Sequence, residues 1–128
     1  MRKVVGIVDD DPAMLSAIDL LMEASGYATE LFSSGEDFLE ALAASAAGCF
    51  VIDIQLGGIT GVEVGRQLAA RGSSVPIIFM SGAADRLAEA AKAEAGGVAF
   101  IRKPFSADLL LEVVESAFRP PDGPQPNP

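Results

Sequence analysis

The chain has 128 residues, with 18 acidic and 9 basic side chains, one Cys, no His and no Trp, for a formal net charge of −9. That length suits one domain, which can bury roughly two-thirds of its unfolded surface without staples. A single Cys excludes an internal disulfide framework, the lack of His excludes His-ligated metals and Ser-His-Asp catalysis, and the acidity argues against a basic nucleic-acid face.

No run approaches the ~20 apolar residues of a membrane span. The apolar start meets Asp9-Asp10-Asp11 too early to serve as an export signal, so a cytoplasmic location is expected.

In chain order, short apolar runs alternate with longer amphipathic stretches. The first run is 4–8. A helix follows, with Asp11 as cap, Pro12 in the first turn, and Met14, Leu15, Ile18, Leu21 and Met22 at three- and four-residue spacing. Gly26 closes it. The run 27–32 leads to a second helix near Ser34, with Phe38, Leu39 and Leu42 inward. The run 49–52 leads to a third, 61–71, with Val62, Val64 and Leu68, stopped by Gly72. The run 75–80 leads to a fourth helix, about 83–95, with Leu87 as its one large apolar residue. Its Ala-rich face buries little area and makes it cheap to move. The run 98–101 leads to a fifth helix from Ser106, carrying Leu109, Leu110, Val113, Val114 and Ala117.

Five such units make (βα)5, an α/β fold whose parallel sheet is covered by helices on both faces. The commonest five-unit arrangement is doubly wound and flavodoxin-like, with strand order 2-1-3-4-5. The domain is expected over 1–119. Residues 120–128 hold five of the eight prolines and read as a disordered tail.

Doubly wound sheets bind ligands beyond the carboxyl ends of their strands. There the sequence places Asp9-Asp10-Asp11, Asp53, Ser81 and Lys103-Pro104. Two carboxylates ~4 Å apart repel by roughly 4 kcal/mol at an effective dielectric of 20. They must protonate, pair with a cation such as Lys103, or bind a hard metal such as Mg²⁺ or Mn²⁺. A carboxylate beside such cations can act as nucleophile in phosphoryl transfer. Taken singly, each residue has an ordinary reading. The Asp run caps a helix, Asp53 and Ser81 are turn or cap residues, Lys103 is solvated and Phe100 is core. The conjunction favours chemistry.

That conjunction resembles the response-regulator receiver domains of two-component signalling, over residues 1 to about 118. The matching pieces are Val8-Asp9-Asp10-Asp11-Pro12, Val51-Ile52-Asp53-Ile54-Gln55-Leu56 followed by Gly61, Phe79-Met80-Ser81-Gly82, and Phe100-Ile101-Arg102-Lys103-Pro104-Phe105. The resemblance implies that Asp53 is the phosphoacceptor. Asp9, Asp10 and Asp53 would hold Mg²⁺ (or Mn²⁺) with the backbone carbonyl of Gln55, Asp10 being a direct ligand. Ser81 and Lys103 would contact the phosphoryl group, and Ser81 and Phe100 would act as switch residues. Lys103–Pro104 would be a cis peptide.

The implied partners are a sensor histidine kinase or histidine phosphotransfer protein, and a downstream protein target. That target would meet the face of the fourth helix, fifth strand and fifth helix, where phosphorylation could also drive homodimerisation. Direct nucleic-acid or membrane binding is not expected, and the chain is expected not to be a turnover enzyme.

Three departures from the family's pattern stand out. Position 57 is Gly where Pro is frequent, and Gly58 follows, which predicts a freer loop after Asp53. Phe100 stands where Tyr is common, and Ser81 where Thr is usual. Gln55 and Ala83 occupy positions that tune dephosphorylation. The local likeness is closest to receivers that precede a helix-turn-helix, and the working expectation is a stand-alone regulator. The alternatives are a receiver cut from a longer DNA-binding regulator, an Asp-nucleophile phosphatase, which would favour an acid where Gln55 stands, and a flavodoxin-like cofactor module, which would want a phosphate-cradling loop where Asp9-Asp10-Asp11 stands.

Overall fold

The computed structural model describes residues 2–82 and 99–119. Five parallel strands form one sheet in the order β2-β1-β3-β4-β5. They are β1 (Val4–Val8), β2 (Ala28–Phe32), β3 (Cys49–Asp53), β4 (Ile77–Ser81) and β5 (Ala99–Arg102). The helices are α1 (Pro12–Ala24), α2 (Gly35–Ala41), α3 (Gly61–Ala70) and a C-terminal helix (Ala107–Phe118). The helix expected at 83–95 and the tail expected at 120–128 lie outside the described residues. Among the described residues, no helix is long and apolar enough to cross a membrane.

Strand alternation divides the core into two layers. Phe50, Ile52 and Phe79 face α2 and α3, beside Phe38, Val64 and Leu68. Cys49, Val51, Ile78 and Met80 face α1 and the C-terminal helix, beside Ile18, Met22, Leu110 and Val114. Burial on both faces is why these strands read as continuous apolar runs. Each large side chain fully buried this way contributes about 1.5–3 kcal/mol.

The caps follow the sequence. Asp11, Ser34 and Ser106 each accept a backbone N–H at the start of their helices, as does Thr60 for α3. Gly26 and Gly72 end helices at φ +95° and +75°, where a Cβ would be strained. The strand limits shift for physical reasons. β4 starts at Ile77 rather than 75, because Pro76 has no N–H to give the ladder. At the other end, β3, β4 and β5 run one residue further than expected. Asp53 is paired in register with Met80, and Ser81 with Arg102. The functional candidates are therefore the last rungs of a rigid ladder.

Candidate functional site

The three consecutive aspartates after β1 do three different things. Asp9 is fully buried. Its Oδ1 accepts the Asp11 N–H at 2.9 Å and its Oδ2 meets Lys103 Nζ at 3.1 Å. Asp10 is exposed, and its Oδ2 accepts the Gly57 N–H at 3.0 Å. Asp11 turns outward and caps α1 through the Ala13 N–H at 3.0 Å.

Asp53 arrives from β3 and is 5% exposed. Its Oδ1 accepts the Gln55 N–H at 2.9 Å, and its Oδ2 meets Lys103 Nζ at 3.0 Å. Lys103 thus bridges two buried carboxylates from strands that enter the rim side by side. Its own placement is set by backbone. The Lys103 N–H donates to the Ser81 carbonyl at 2.8 Å, and the Lys103–Pro104 peptide is cis.

One carboxylate oxygen each from Asp9, Asp10 and Asp53 lie within 4.8 Å of one another. Octahedral Mg²⁺ with oxygens at about 2.1 Å spans about 3 Å between adjacent ligands and about 4.2 Å across. A small contraction would close the trio on such an ion. The donors are hard oxygens, and three carboxylates against one ammonium leave two negative charges for a divalent cation to balance. The residues fit Mg²⁺ or Mn²⁺.

The electrostatics agree with the geometry. Burial raises the Asp53 pKa, and the neighbouring Asp9 charge adds to this, while the Gln55 N–H and Lys103 pull the other way. For Lys103, burial works to lower the pKa, but hydrogen bonds and charges from Asp53 and Asp9 outweigh it and the pKa rises. The charged form of Lys103 is thus favoured, while burial and Asp9 disfavour the charged form of Asp53.

Ser81 ends β4 and is fully buried at the same rim. Phe100 does not join the polar group. It sits in mid-β5, paired in register with Phe79, half-buried against the α2–α3 layer. Gln55 is exposed just beyond Asp53. Ala83 lies outside the described residues.

The loop after Asp53 is better tied than its two glycines led one to expect. Gly58 adopts φ +78°, and the Glu36 carboxylate fills the space a Cβ would need. The Ile59 N–H donates to Glu36 Oε2 at 3.0 Å, and the Gly61 N–H to the Ile54 carbonyl at 2.9 Å. A Cβ at Gly61 would collide with the Asp53 carbonyl, which explains why glycine stands there. Glu36 is a site-framing residue that sequence reasoning missed, since an acid in a helix's first turn reads as a dipole partner.

Comparison with known proteins is consistent with this geometry. Residues 5–115 match the family described as Response regulator receiver domain. The chain is 38% identical over 116 residues to Response regulator protein TodT of Pseudomonas putida, covering 91% of this chain and 51% of that protein. It is 34% identical over 113 residues to Transcriptional regulatory protein FixJ of Bradyrhizobium diazoefficiens, covering 88% and 55%. The crystal structure of full-length FixJ from B. japonicum superposes with a TM-score of 0.85 at 35% identity, over 91% of this chain and 58% of that one. The chain spans about half the length of these curated relatives.

Proposed function

The chain belongs to the response regulator receiver domain family, and on that premise we propose that Asp53 is its phosphoacceptor. Receiver domains of response regulators interact with histidine kinases. The donor proposed here is the phosphohistidine of such a sensor kinase or of a histidine phosphotransfer protein. The observation that carries this reading is Lys103 Nζ bridging Asp53 Oδ2 and Asp9 Oδ2, at 3.0 and 3.1 Å, beside an all-oxygen carboxylate trio.

In the proposed step an Asp53 oxygen attacks phosphorus. The P–N bond breaks, and its electron pair leaves on the imidazole nitrogen. Burial leaves the Asp53 anion poorly solvated and so more reactive. Lys103 already sits against Asp53, where its ammonium can take up a phosphoryl oxygen without reorganisation. Asp9, Asp10, Asp53 and the Gln55 carbonyl would hold Mg²⁺ or Mn²⁺, which when bound supplies charge neutralisation to the phosphoryl oxygens. Asp53 is consumed once per transfer, so the chain acts as a stoichiometric acceptor rather than a turnover enzyme.

The new phosphoryl group draws the Ser81 hydroxyl, and Phe100 follows into the space released. This shifts the population of the face made by β5 and the C-terminal helix towards a form that binds a protein target or a second copy. The proposed setting is the cytoplasm. The length of TodT and FixJ supports a second reading, in which this chain is the receiver unit of a DNA-binding regulator. The net charge of −9 weighs against direct DNA contact by the chain itself. A gel-shift of the phosphorylated chain on DNA should show no complex, and a shifted band would mean that the chain itself contacts DNA.

The test uses a low-molecular-weight phosphodonor with Mg²⁺. The unmodified chain should gain an acid-labile phosphate and Asp53→Asn should not; equal incorporation would remove Asp53 as the nucleophile. Mg²⁺ at ten times its Kd should stabilise the chain by about 1.4 kcal/mol. Asp10→Ala should respond less at the same concentration, read as a smaller rise in Tm, and an equal response would remove Asp10 from the pocket.

A further inference from the structure

The three carboxylates of the pocket are not held alike. Asp9 is fully buried and bonded through both oxygens, to the Asp11 N–H and to Lys103 Nζ. Asp53 is bonded through both oxygens too, to the Gln55 N–H and to Lys103 Nζ. Asp10 is exposed, and Gly57, 47 residues away in sequence, reaches it with a backbone N–H at 3.0 Å.

The donor is itself pinned. The Ile59 N–H on Glu36 and the Gly61 N–H on the Ile54 carbonyl fix the loop on the far side of Gly57. The crowding of Gly58 against Glu36 fixes it from within. Gly57 has no positive φ, and a Cβ there would lie 3.6 Å from Asp10 Oδ2, an ordinary contact. Glycine at 57 is therefore required neither by conformation nor by space. What the position must supply to Asp10 is an N–H, which every residue but proline has. The clasp thus exists because this chain departs from the proline its family resemblance leads one to expect.

We infer that the Gly57 N–H is a positioning group for the cation pocket, holding the exposed Asp10 carboxylate beside Asp9 and Asp53 before a divalent ion arrives. This rests on the reading of that trio as a Mg²⁺ site. A carboxylate has about four lone-pair sites, so taking one N–H leaves it free to ligate an ion. Without the clasp, an exposed Asp side chain must be immobilised on binding, which lowers affinity by about three- to tenfold. Linkage makes the effect reciprocal: the ion must strengthen the Gly57–Asp10 hydrogen bond by the same factor by which that bond strengthens ion binding.

The experiment titrates the full chain with Mg²⁺ alone, followed by calorimetry or backbone amide shifts. Gly57→Ala keeps the N–H and should bind like the unmodified chain. Gly57→Pro removes it and should bind about three- to tenfold more weakly than Gly57→Ala. Equal or tighter binding by Gly57→Pro overturns the inference. A second readout needs no variant. Saturating Mg²⁺ should slow hydrogen exchange of the residue 57 amide by that same factor, and an unchanged or faster rate overturns the inference even if Gly57→Pro fails to fold. Asp10→Ala and Asp53→Asn separate the two levels. If neither weakens Mg²⁺ binding, the pocket itself is wrong and takes the clasp with it. If both do while Gly57→Pro matches Gly57→Ala, the clasp alone fails.

Discussion

The two ends of the sheet are built on opposite principles. At the amino ends, apolar groups close the core. Tyr27 stacks on Phe118 with ring centroids 5.6 Å apart, and Lys3 Nζ lies 5.4 Å from the Phe118 ring. Gly48 lets that ring approach, since a Cβ there would sit 2.8 Å from Phe118 Cε1. The ion pair near this end, Arg2–Glu23 at 3.1 Å, is half-exposed and adds little. At the carboxyl ends, two buried carboxylates share one ammonium beside an exposed third. One ladder thus carries a stabilising end and an end whose charges oppose folding until something neutralises them. A parallel sheet allows this separation because every strand delivers its last residue to the same rim.

Removing the shared ammonium should break this comparison most severely. Lys103→Met leaves Asp9 and Asp53 buried together without a counter-charge. A loss of about 3 kcal/mol is expected, read from the urea midpoint. Adding Asp9→Asn should return part of it, because the repulsion is relieved. A Lys103→Met chain as stable as its parent would mean the rim carries no such charge burden.

Phe118→Ala should cost less, about 2 kcal/mol, since the ring is half-buried and loses its stack on Tyr27. Its more telling readout is what stays constant. Mg²⁺ affinity and phosphate incorporation should match the unmodified chain. A change in either would show that the two ends are coupled.

The same contrast explains what could be read from the sequence. The strands were legible because burial on both faces makes them continuous apolar runs, and the caps because Asp11, Ser34 and Ser106 accept backbone N–H groups locally. Asp9, Asp53, Ser81 and Lys103 were legible as a group because each follows or ends a strand, and the topology gathers strand ends. Less legible was which oxygen meets which donor. Lys103 is 94 residues from Asp9, and its bridging of both acids depends on side-chain reach. The Gly57 N–H and the Glu36 carboxylate left no pattern at all. A glycine's donor belongs to its backbone, and Glu36 touches Ile59 through a loop whose course no periodicity encodes. The glycines at 57 and 58 signalled freedom, while one is constrained by the residue it faces and the other serves as a donor.

The smallest expected effect tests the sign of the rim's contribution. Burial raises the Asp53 pKa, so the folded chain holds this proton more tightly than the unfolded chain does. Its contribution to stability is then fully present below the unfolded carboxylate range, about pH 4, and is lost as pH rises through the folded pKa. Asn cannot ionise and stays in the neutral condition throughout. Asp53→Asn should therefore match the unmodified chain in acid and become the more stable of the two as pH rises to neutrality. Urea midpoints for both chains across that interval give the answer. Mg²⁺ should then narrow the gap at neutral pH, because it stabilises the ionised Asp53 that the variant lacks. A gap that stays flat, or opens the other way, would mean that Lys103 and the Gln55 N–H outweigh burial. The carboxyl end would then be a second stabilising end, and the contrast with the amino end would rest on chemistry alone.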